Sequence, residues 1–265
     1  MPDLPDVIVP SRFCGPPSSG NGGWSAGALA IHAGHACPDD HALPWPAVTV
    51  SLQAPPPLDV PLAVTATDDG VTATYDGRPV LSARCSHEPV TGLEPVRPDE
   101  ARAAIASFAG LRSHPFPTCF SCGTGRAEGD GLRIFPGRVS DAIDEPGEVP
   151  RPRVAATWTP DATVAEDFHA YADGQPRASV PVTWAALDCA GGWAGDLEER
   201  LMVLARMTAR LDSLPVIGEE HVVVGMGRGR DGRKAWTSST LYDADGRVVG
   251  SAEHLWIAVD PATFA

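Results

Sequence analysis

The stretch YDGRPVLSA at residues 75–83 returns near the end of the chain as YDADGRVVGSA at residues 242–252. Both copies place an Asp-Gly pair between strand-forming residues, which is a strong signal for a β-hairpin. The segments upstream also recur in order: a helix of small residues, a strand, a second strand and then this hairpin. A repeat of such long period predicts two copies of one structural unit, with a site between them.

Each copy is predicted to contain one helix followed by antiparallel strands. In the first copy the helix spans 24–33, and Val48, Val50 and Leu52 alternate with polar residues as in a half-buried strand. The predicted strands of the first copy are 6–13, 47–53, 61–67, 71–75 and 79–85. The second copy has its helix at 182–194. The predicted strands of the second copy are 154–158, 201–211, 220–228, 234–242 and 247–258.

A connecting segment separates the two copies. Residues 98–111 carry apolar side chains at helical spacing, which predicts a helix. Residues 114–152 form an irregular insertion that is rich in Gly and Pro. We therefore expect an N-terminal unit at 1–112 and a C-terminal unit at 113–265 that carries the insertion.

The composition limits the classes of partner. The 265 residues are 43% hydrophobic and 20% charged, which is typical of a folded globular protein, and 27 Pro and 27 Gly favour short strands and turns. The net charge of −14 argues against nucleic acid as a partner, because its phosphates attract basic surfaces.

The N-terminus shows neither the basic region nor the apolar run of a secretory signal, and no apolar run reaches the roughly 20 residues of a membrane span. We therefore expect a cytoplasmic protein whose six cysteines are reduced.

One helix followed by four antiparallel strands resembles the hot-dog fold, in which a curved sheet wraps a central helix. Two copies in one chain resemble the double hot-dog acyl-CoA thioesterases over most of the sequence, the insertion excepted. The resemblance implies an α+β fold of two fused hot-dog units and a hydrolase of lipid metabolism. It also implies an acyl-CoA substrate, no cofactor, and a monomer or homodimer.

The segment ALDCAGGWA at 186–194 is similar to the catalytic helix of these thioesterases. A carboxylate in so apolar a helix must be paired, protonated or turned toward a ligand, because an unpaired buried charge is costly. In the family this acid orients water or attacks the thioester, which implies a catalytic role for Asp188. The alternatives are a carboxylate on the N-terminal side of the helix that the helix dipole favours, or a carboxylate bonded to a neighbouring strand.

The resemblance implies two partners for this acid, a Ser or Thr on a following strand and a Gln on the last strand. Thr208 is the candidate hydroxyl. His254 stands where the family has Gln, which is a departure, although a histidine can bind water or act as a base. Both residues are equally explained as ordinary members of their strands.

Substrate-binding residues are expected in two places. Asn21, Gly22 and Gly23 precede the first helix, where backbone N–H groups stabilise an oxyanion and glycine permits close approach; a flexible loop capped by Asn21 is the alternative. Arg228 and Arg230 belong to a basic stretch suited to coenzyme A phosphates. A solvated strand face explains the arginines equally well.

The insertion contains Cys119-Phe120-Ser121-Cys122, which has the spacing of half a zinc site. Since the chain has no second pair of this kind, the sequence predicts no metal and two thiols that stabilise a tight loop. Two other functions stay open. A hot-dog protein could bind acyl-CoA or another apolar ligand without turnover, or act as a dehydratase or hydratase, whose characteristic segment we do not find.

Overall fold

The computed structural model describes residues 4–33, 45–142, 150–166 and 173–263. The strands are β1 Val7–Ile8, β2 Ala47–Leu52, β3 Pro61–Thr67, β4 Gly70–Tyr75, β5 Arg78–Ser86, β6 Gly137–Ala142, β7 Arg151–Trp158, β8 Met202–Leu211, β9 His221–Asp231, β10 Lys234–Tyr242 and β11 Val248–Ala258. The α-helices are α1 Gly22–Ala30, α2 Pro98–Ala104 and α3 Val180–Ala194. Short 3-10 turns lie at Ser11–Phe13, Ile31–Ala33, Ile105–Ser107, Ala109–Leu111, Ala162–Val164 and Pro261–Thr263.

The strands form one antiparallel sheet whose two halves have the same connectivity. Its order is β1-β3-β4-β5-β2-β8-β11-β10-β9-β7-β6. From its outer edge inward, the first half contains β1, β3, β4, β5 and β2, which are the first, third, fourth, fifth and second strands of that unit. The second half follows the same order with β7, β9, β10, β11 and β8, and β6 lies outside β7. The halves join where β2 pairs with β8. The predicted α+β class with two repeated units is confirmed, while the unit boundary near residue 112 stays a prediction.

Two helices of small residues pack against each other and against the sheet. Every residue of α3 is buried, and so are eight of the nine in α1. They cross closely at two glycines: a Cβ on Gly23 would lie 2.5 Å from the Cβ of Asp188, and one on Gly27 would lie 2.7 Å from the Cα of Pro181. None of the helices in the described ranges is long and apolar enough to cross a bilayer.

Several elements have other bounds than the sequence predicts, and three of them illustrate the causes. The strand expected at 6–13 is only two residues long, because Pro5 and Pro10 flank it and lack N–H donors. The helix expected at 98–111 ends at Ala104, where the closely packed backbone of Gly137 meets the Ala104 carbonyl. Strand β7 begins three residues early, within Arg-Pro-Arg.

The predicted insertion at 114–152 is not a peripheral loop. It contains β6, and its Cys-x-x-Cys loop is buried against α3 with Phe120 fully enclosed. The Ser121 hydroxyl donates to the carbonyl of Ala185 on α3 at 2.8 Å. Residues 143–149 of this segment lie outside the described part of the chain.

Candidate functional site

A pocket of about 240 Å³ lies where the N-terminus of α1 meets α3 and the ends of β8 and β11. The residues that line it are Gly15, Pro16, Ser19, Gly20, Asn21, Gly22, Leu52, Gln53, Ala54, Pro55, Pro56, His114, Phe116, Cys119, Cys122, Asp188, Cys189, Leu197, Met202, Val203, Leu204, Ala205, Trp256 and Ile257. Both units contribute. Most of these side chains are apolar, and Asp188 is the sole carboxylate among the described lining residues.

Asp188 is 2% exposed, and its two oxygens have different environments. Oδ2 accepts hydrogen bonds from the Gly23 N–H at 2.9 Å and from Asn21 Nδ2 at 3.1 Å. Oδ1 has no hydrogen-bond partner among the described residues. The positive end of the α1 dipole faces this carboxylate and favours its charged form. The arrangement fixes the carboxylate through one oxygen and leaves the other buried without a partner in the described chain.

The pKa of the Asp188 carboxyl group is shifted toward neutral pH. Burial raises the pKa of Asp188 to about 7, although the hydrogen bonds from Gly23 and Asn21 act in the opposite direction. Because a general base works best with a pKa near the working pH, this carboxyl is suited to accept a proton from water.

Asn21 connects the end of α1 to the acid. Its Oδ1 accepts from the Trp24 N–H at 2.8 Å, which is the usual N-cap interaction. Its Nδ2 donates to Asp188 Oδ2 and lies 3.7 Å from Cys119 Sγ. The predicted Asn cap is therefore present, and both side-chain polar atoms of Asn21 bind protein groups.

The two glycines expected in an oxyanion hole have different neighbours. The N–H of Gly23 is occupied by Asp188, so it positions the acid. Gly22 lines the pocket, and its N–H makes no hydrogen bond to any residue in the described ranges. Since the first N–H groups of a helix lack partners within the helix, the Gly22 N–H is available to a ligand.

Thr208 lies away from the pocket. Met207, Ala209 and Leu211 of β8 point into the core, so Thr208 points to the opposite face of the sheet. Its Oγ1 lies 2.9 Å from Thr49 Oγ1 on β2. The structure therefore does not bring Thr208 to Asp188.

His254 lies on the inner face of β11 but is not among the pocket-lining residues. It packs under α3 at Gly191, and its Nδ1 lies 3.2 Å from Thr237 Oγ1. Burial lowers the pKa of His254 to about 4, so this imidazole is neutral near pH 7. Thr237 Oγ1 also accepts from Nε1 of Trp256, a lining residue whose ring centroid lies 6.1 Å from that of His254, so His254 reaches the pocket through Trp256.

Arg228 and Arg230 lie at the exposed end of β9 and line no part of the pocket. Arg228 Nε donates to Ser238 Oγ at 2.9 Å, and Arg230 pairs with Asp196 at 3.3 Å. These contacts describe a solvated strand face with local ion pairs.

Apart from Asp188, the lining residues with titratable side chains are His114, Cys119, Cys122 and Cys189, and none of them was predicted as a site residue. For the two cysteines of the Cys-x-x-Cys loop the sequence predicts only that they stabilise a tight loop. Hydrogen bonds from Cys122 and Cys189 hold the pKa of the Cys119 thiol well below its usual range. In the sequence, these cysteines are marked by the Cys-x-x-Cys motif and by the position of Cys189 directly after the predicted catalytic acid.

Solved structures share this fold over nearly the whole chain. A conserved protein of unknown function with a hot dog fold from Alicyclobacillus acidocaldarius has a TM-score of 0.57 at 14% identity, over 97% of this chain and 92% of that chain. For an acyl-CoA thioesterase II from Mycobacterium marinum these values are 0.53, 12%, 92% and 91%. For a TesB protein from Mycobacterium avium they are 0.51, 16%, 91% and 87%. Comparison with protein-family models gives no match, and comparison with curated proteins gives none.

These likenesses confirm the hot-dog fold expected from the repeat. They extend over both units, because each superposition covers more than nine-tenths of this chain. At identities of 12–16% they show the fold.

Proposed function

We propose that this chain is a thioester hydrolase that acts on acyl-CoA, with Asp188 as the residue that activates water. The observation that carries the proposal is the free oxygen of Asp188. Oδ2 is held by Gly23 and Asn21, while Oδ1 is buried at the pocket with no partner in the described chain. A carboxylate that is held through one oxygen and has the other oxygen unpartnered can accept a proton from a water molecule in the pocket.

In the proposed reaction a water molecule bonded to Oδ1 attacks the carbonyl carbon of the thioester. A C–O bond forms while Asp188 takes a proton from the water. The Gly22 N–H donates to the oxyanion, as the first turn of a helix does in other acyl-transfer sites. The C–S bond then breaks, and the thiolate leaves with the proton that Asp188 held, which gives a carboxylic acid and a free thiol.

The surroundings of the acid favour an apolar acyl group. The pocket is lined by side chains such as Leu204, Met202 and Trp256, and a second charged side chain is absent from its described lining. Because Arg228 and Arg230 lie outside the pocket, the proposal assigns them no contact with the reacting group. A thioester is uncharged at the reacting carbon, so it suits this environment better than an anionic substrate does.

Binding of acyl-CoA without turnover is the second candidate. Thr208 lies on the other face of the sheet, and His254 is not among the lining residues. The two partners that the resemblance implied for the acid are thus not beside Asp188. A site with a positioned carboxylate and no such partners is also compatible with a binding protein.

The test is hydrolysis of acyl-CoA substrates of several chain lengths by wild type and Asp188→Asn. Thioester loss is followed by chromatography, because the chain's own cysteines react with thiol reagents. We expect Asp188→Asn to lower kcat/KM by about 10²–10⁴-fold. Asp243→Asn is the matched control, since Asp243 holds a surface turn through Arg247 and does not line the pocket.

The outcomes separate the two functions. Turnover that Asp188→Asn abolishes in folded protein, and that Asp243→Asn retains, supports hydrolysis. Equal activity of wild type and Asp188→Asn would refute the role of the acid. Calorimetric binding of acyl-CoA with no turnover at any chain length would favour the binding protein.

A further inference from the structure

Three buried cysteines meet beside the pocket, from parts of the chain that are distant in sequence. Cys119 and Cys122 come from the insertion, and Cys189 follows Asp188 on α3. All three are free thiols, and their sulfur atoms lie within 4.8 Å of one another. The cluster therefore offers three soft ligand atoms around one point.

One distance within the cluster matches the spacing of two thiolates on a single metal ion. Two thiolates bound to one tetrahedral zinc at roughly 2.3 Å lie about 3.8 Å apart. Cys119 Sγ and Cys189 Sγ are 3.8 Å apart. They are not joined as a disulfide, which would need an S–S distance of about 2.05 Å.

The loop that carries Cys119 and Cys122 has the form of a zinc knuckle. The Gly123 N–H donates to the Cys119 carbonyl at 2.8 Å, which closes a tight turn and turns both thiols to the same side. A Cβ on Gly123 would overlap the backbone of Cys119 and Pro117, so the turn needs glycine. The hydrogen bond from Ser121 to α3 then holds the loop against Cys189.

The surroundings leave the fourth ligand position to the pocket. Both ring nitrogens of His114 are engaged, Nε2 at 3.0 Å from the Cys122 carbonyl and Nδ1 as acceptor from the Phe116 N–H at 3.0 Å. Asp188 is outside the set of mutually close ligand atoms. All three cysteines line the pocket.

We propose that Cys119, Cys122 and Cys189 bind one Zn²⁺ as thiolates, with the fourth coordination position open to the pocket. Binding releases the thiol protons to solvent, as metal binding by cysteine requires. Thiolates in tetrahedral geometry favour zinc over harder divalent ions. Asn21, whose Nδ2 lies 3.7 Å from Cys119 Sγ, supplies the kind of outer hydrogen bond that orients metal ligands. The zinc site does not depend on the proposed hydrolysis, because the placement of the three thiols argues for it whether or not Asp188 activates water.

The experiment is a metal count on the full chain, purified without chelators and with a phosphine reductant. We expect one zinc per chain by plasma mass spectrometry. Cys119→Ser, Cys122→Ser and Cys189→Ser should each lower occupancy at least tenfold after dialysis. Cys14→Ser and Cys85→Ser are the controls, one thiol buried and one exposed, and should retain one zinc.

A second measurement on the wild type avoids variants that fail to fold. The Co²⁺-loaded protein should show intense tetrahedral d–d bands and thiolate-to-cobalt charge transfer. Addition of N-acetylcysteamine, a small thiol, should shift the d–d bands if the fourth position is open. An unshifted spectrum would overturn the open position. Three reduced thiols that bind neither Zn²⁺ nor Co²⁺, a disulfide within the cluster, or copper or iron in place of zinc would overturn the zinc site.

Discussion

Gly23→Ala tests whether the contact between α1 and α3 positions the acid. The new Cβ would lie 2.5 Å from the Asp188 Cβ and 2.7 Å from the Trp184 carbonyl oxygen. Carbon atoms pack at roughly 3.5–4.0 Å, so the helices must separate by about 1 Å. The atoms that oppose the new Cβ belong to backbone or to the stem of a side chain, and neither can rotate away.

The energetic consequences follow from this displacement. Extra volume in a packed core costs about 1–3 kcal/mol. The 2.9 Å bond from Gly23 to Asp188 would lengthen beyond hydrogen-bond range, and a bond to a charged group contributes roughly 1.5–3 kcal/mol. We therefore expect the free energy of unfolding to fall by about 2.5–6 kcal/mol. A displacement of this size at a catalytic group also lowers kcat/KM by about 10²-fold.

Gly27→Ala is the matched control, one turn along the same helix. The three atoms nearest to its Cβ would be the Cα of Pro181 at 2.7 Å and the Cβ and Cγ of Trp184 at 2.8 and 2.9 Å, so Asp188 is not among them. Alanine recovers about 1 kcal/mol of helix propensity in a helix interior, so the net loss of stability should be smaller. Urea unfolding gives the stabilities, and acyl-CoA hydrolysis is measured where both variants are folded. Equal losses of activity in the two variants, or a Gly23→Ala protein as stable as wild type, would refute the reasoning.

Three further predictions use other parts of the fold. Asn21→Ser should keep the N-cap of α1 and lose the donor to Asp188, so kcat/KM should fall and the free energy of unfolding should fall by about 1.5–3 kcal/mol. An unchanged kcat/KM would contradict this role of Asn21. Burial lowers the pKa of His254 from 6.5 to about 4, so as the pH falls the unfolded chain binds this proton before the folded chain does. The free energy of unfolding should therefore drop by about 3 kcal/mol between pH 6.5 and pH 4. His254→Gln should remove this part of the pH dependence in urea titrations, and an unchanged dependence of stability on pH would contradict the prediction. In Gly137→Ala the new Cβ would overlap the Ala104 carbonyl, so the protein should lose at least about 2 kcal/mol of its free energy of unfolding. A melting temperature equal to that of wild type would show that β6 and α2 are not packed so closely.

The architecture was predictable because the repeat and the strand alternation are local signals. The strands at β3 and β10 were predicted with the bounds that the structure has, since alternation and turn residues delimit them. The joining of the two halves through β2 and β8 was not predictable, because it depends on contacts distant in sequence. The ends of α2 and β7 were also missed, where close tertiary packing and a Pro between two Arg obscure the local pattern.

The candidate site was predictable where a residue type was out of place in its own element. Asp188 in an apolar helix and Asn21-Gly22-Gly23 before a helix were found in this way, and they meet in the structure. Thr208 was selected by its likeness to a family residue, although the alternation of Met207 and Ala209 already turned it outward. The Cys-x-x-Cys motif and a cysteine beside Asp188 are both visible in the sequence, but their spacing along the chain does not show that they meet. The contact arises from the packing of the insertion on α3.

The central claim is that Asp188 activates water for attack on a thioester, and a single-turnover reaction in H₂¹⁸O tests it most directly. Enzyme in excess over acyl-CoA is quenched after one turnover, and the acid and the peptide that contains Asp188 are analysed by mass spectrometry. We predict one ¹⁸O in the product acid and none in the peptide. The claim would be contradicted if ¹⁸O appeared in the Asp188 peptide while the product acid stayed unlabelled. It would also be contradicted if no carboxylic acid formed from any acyl-CoA.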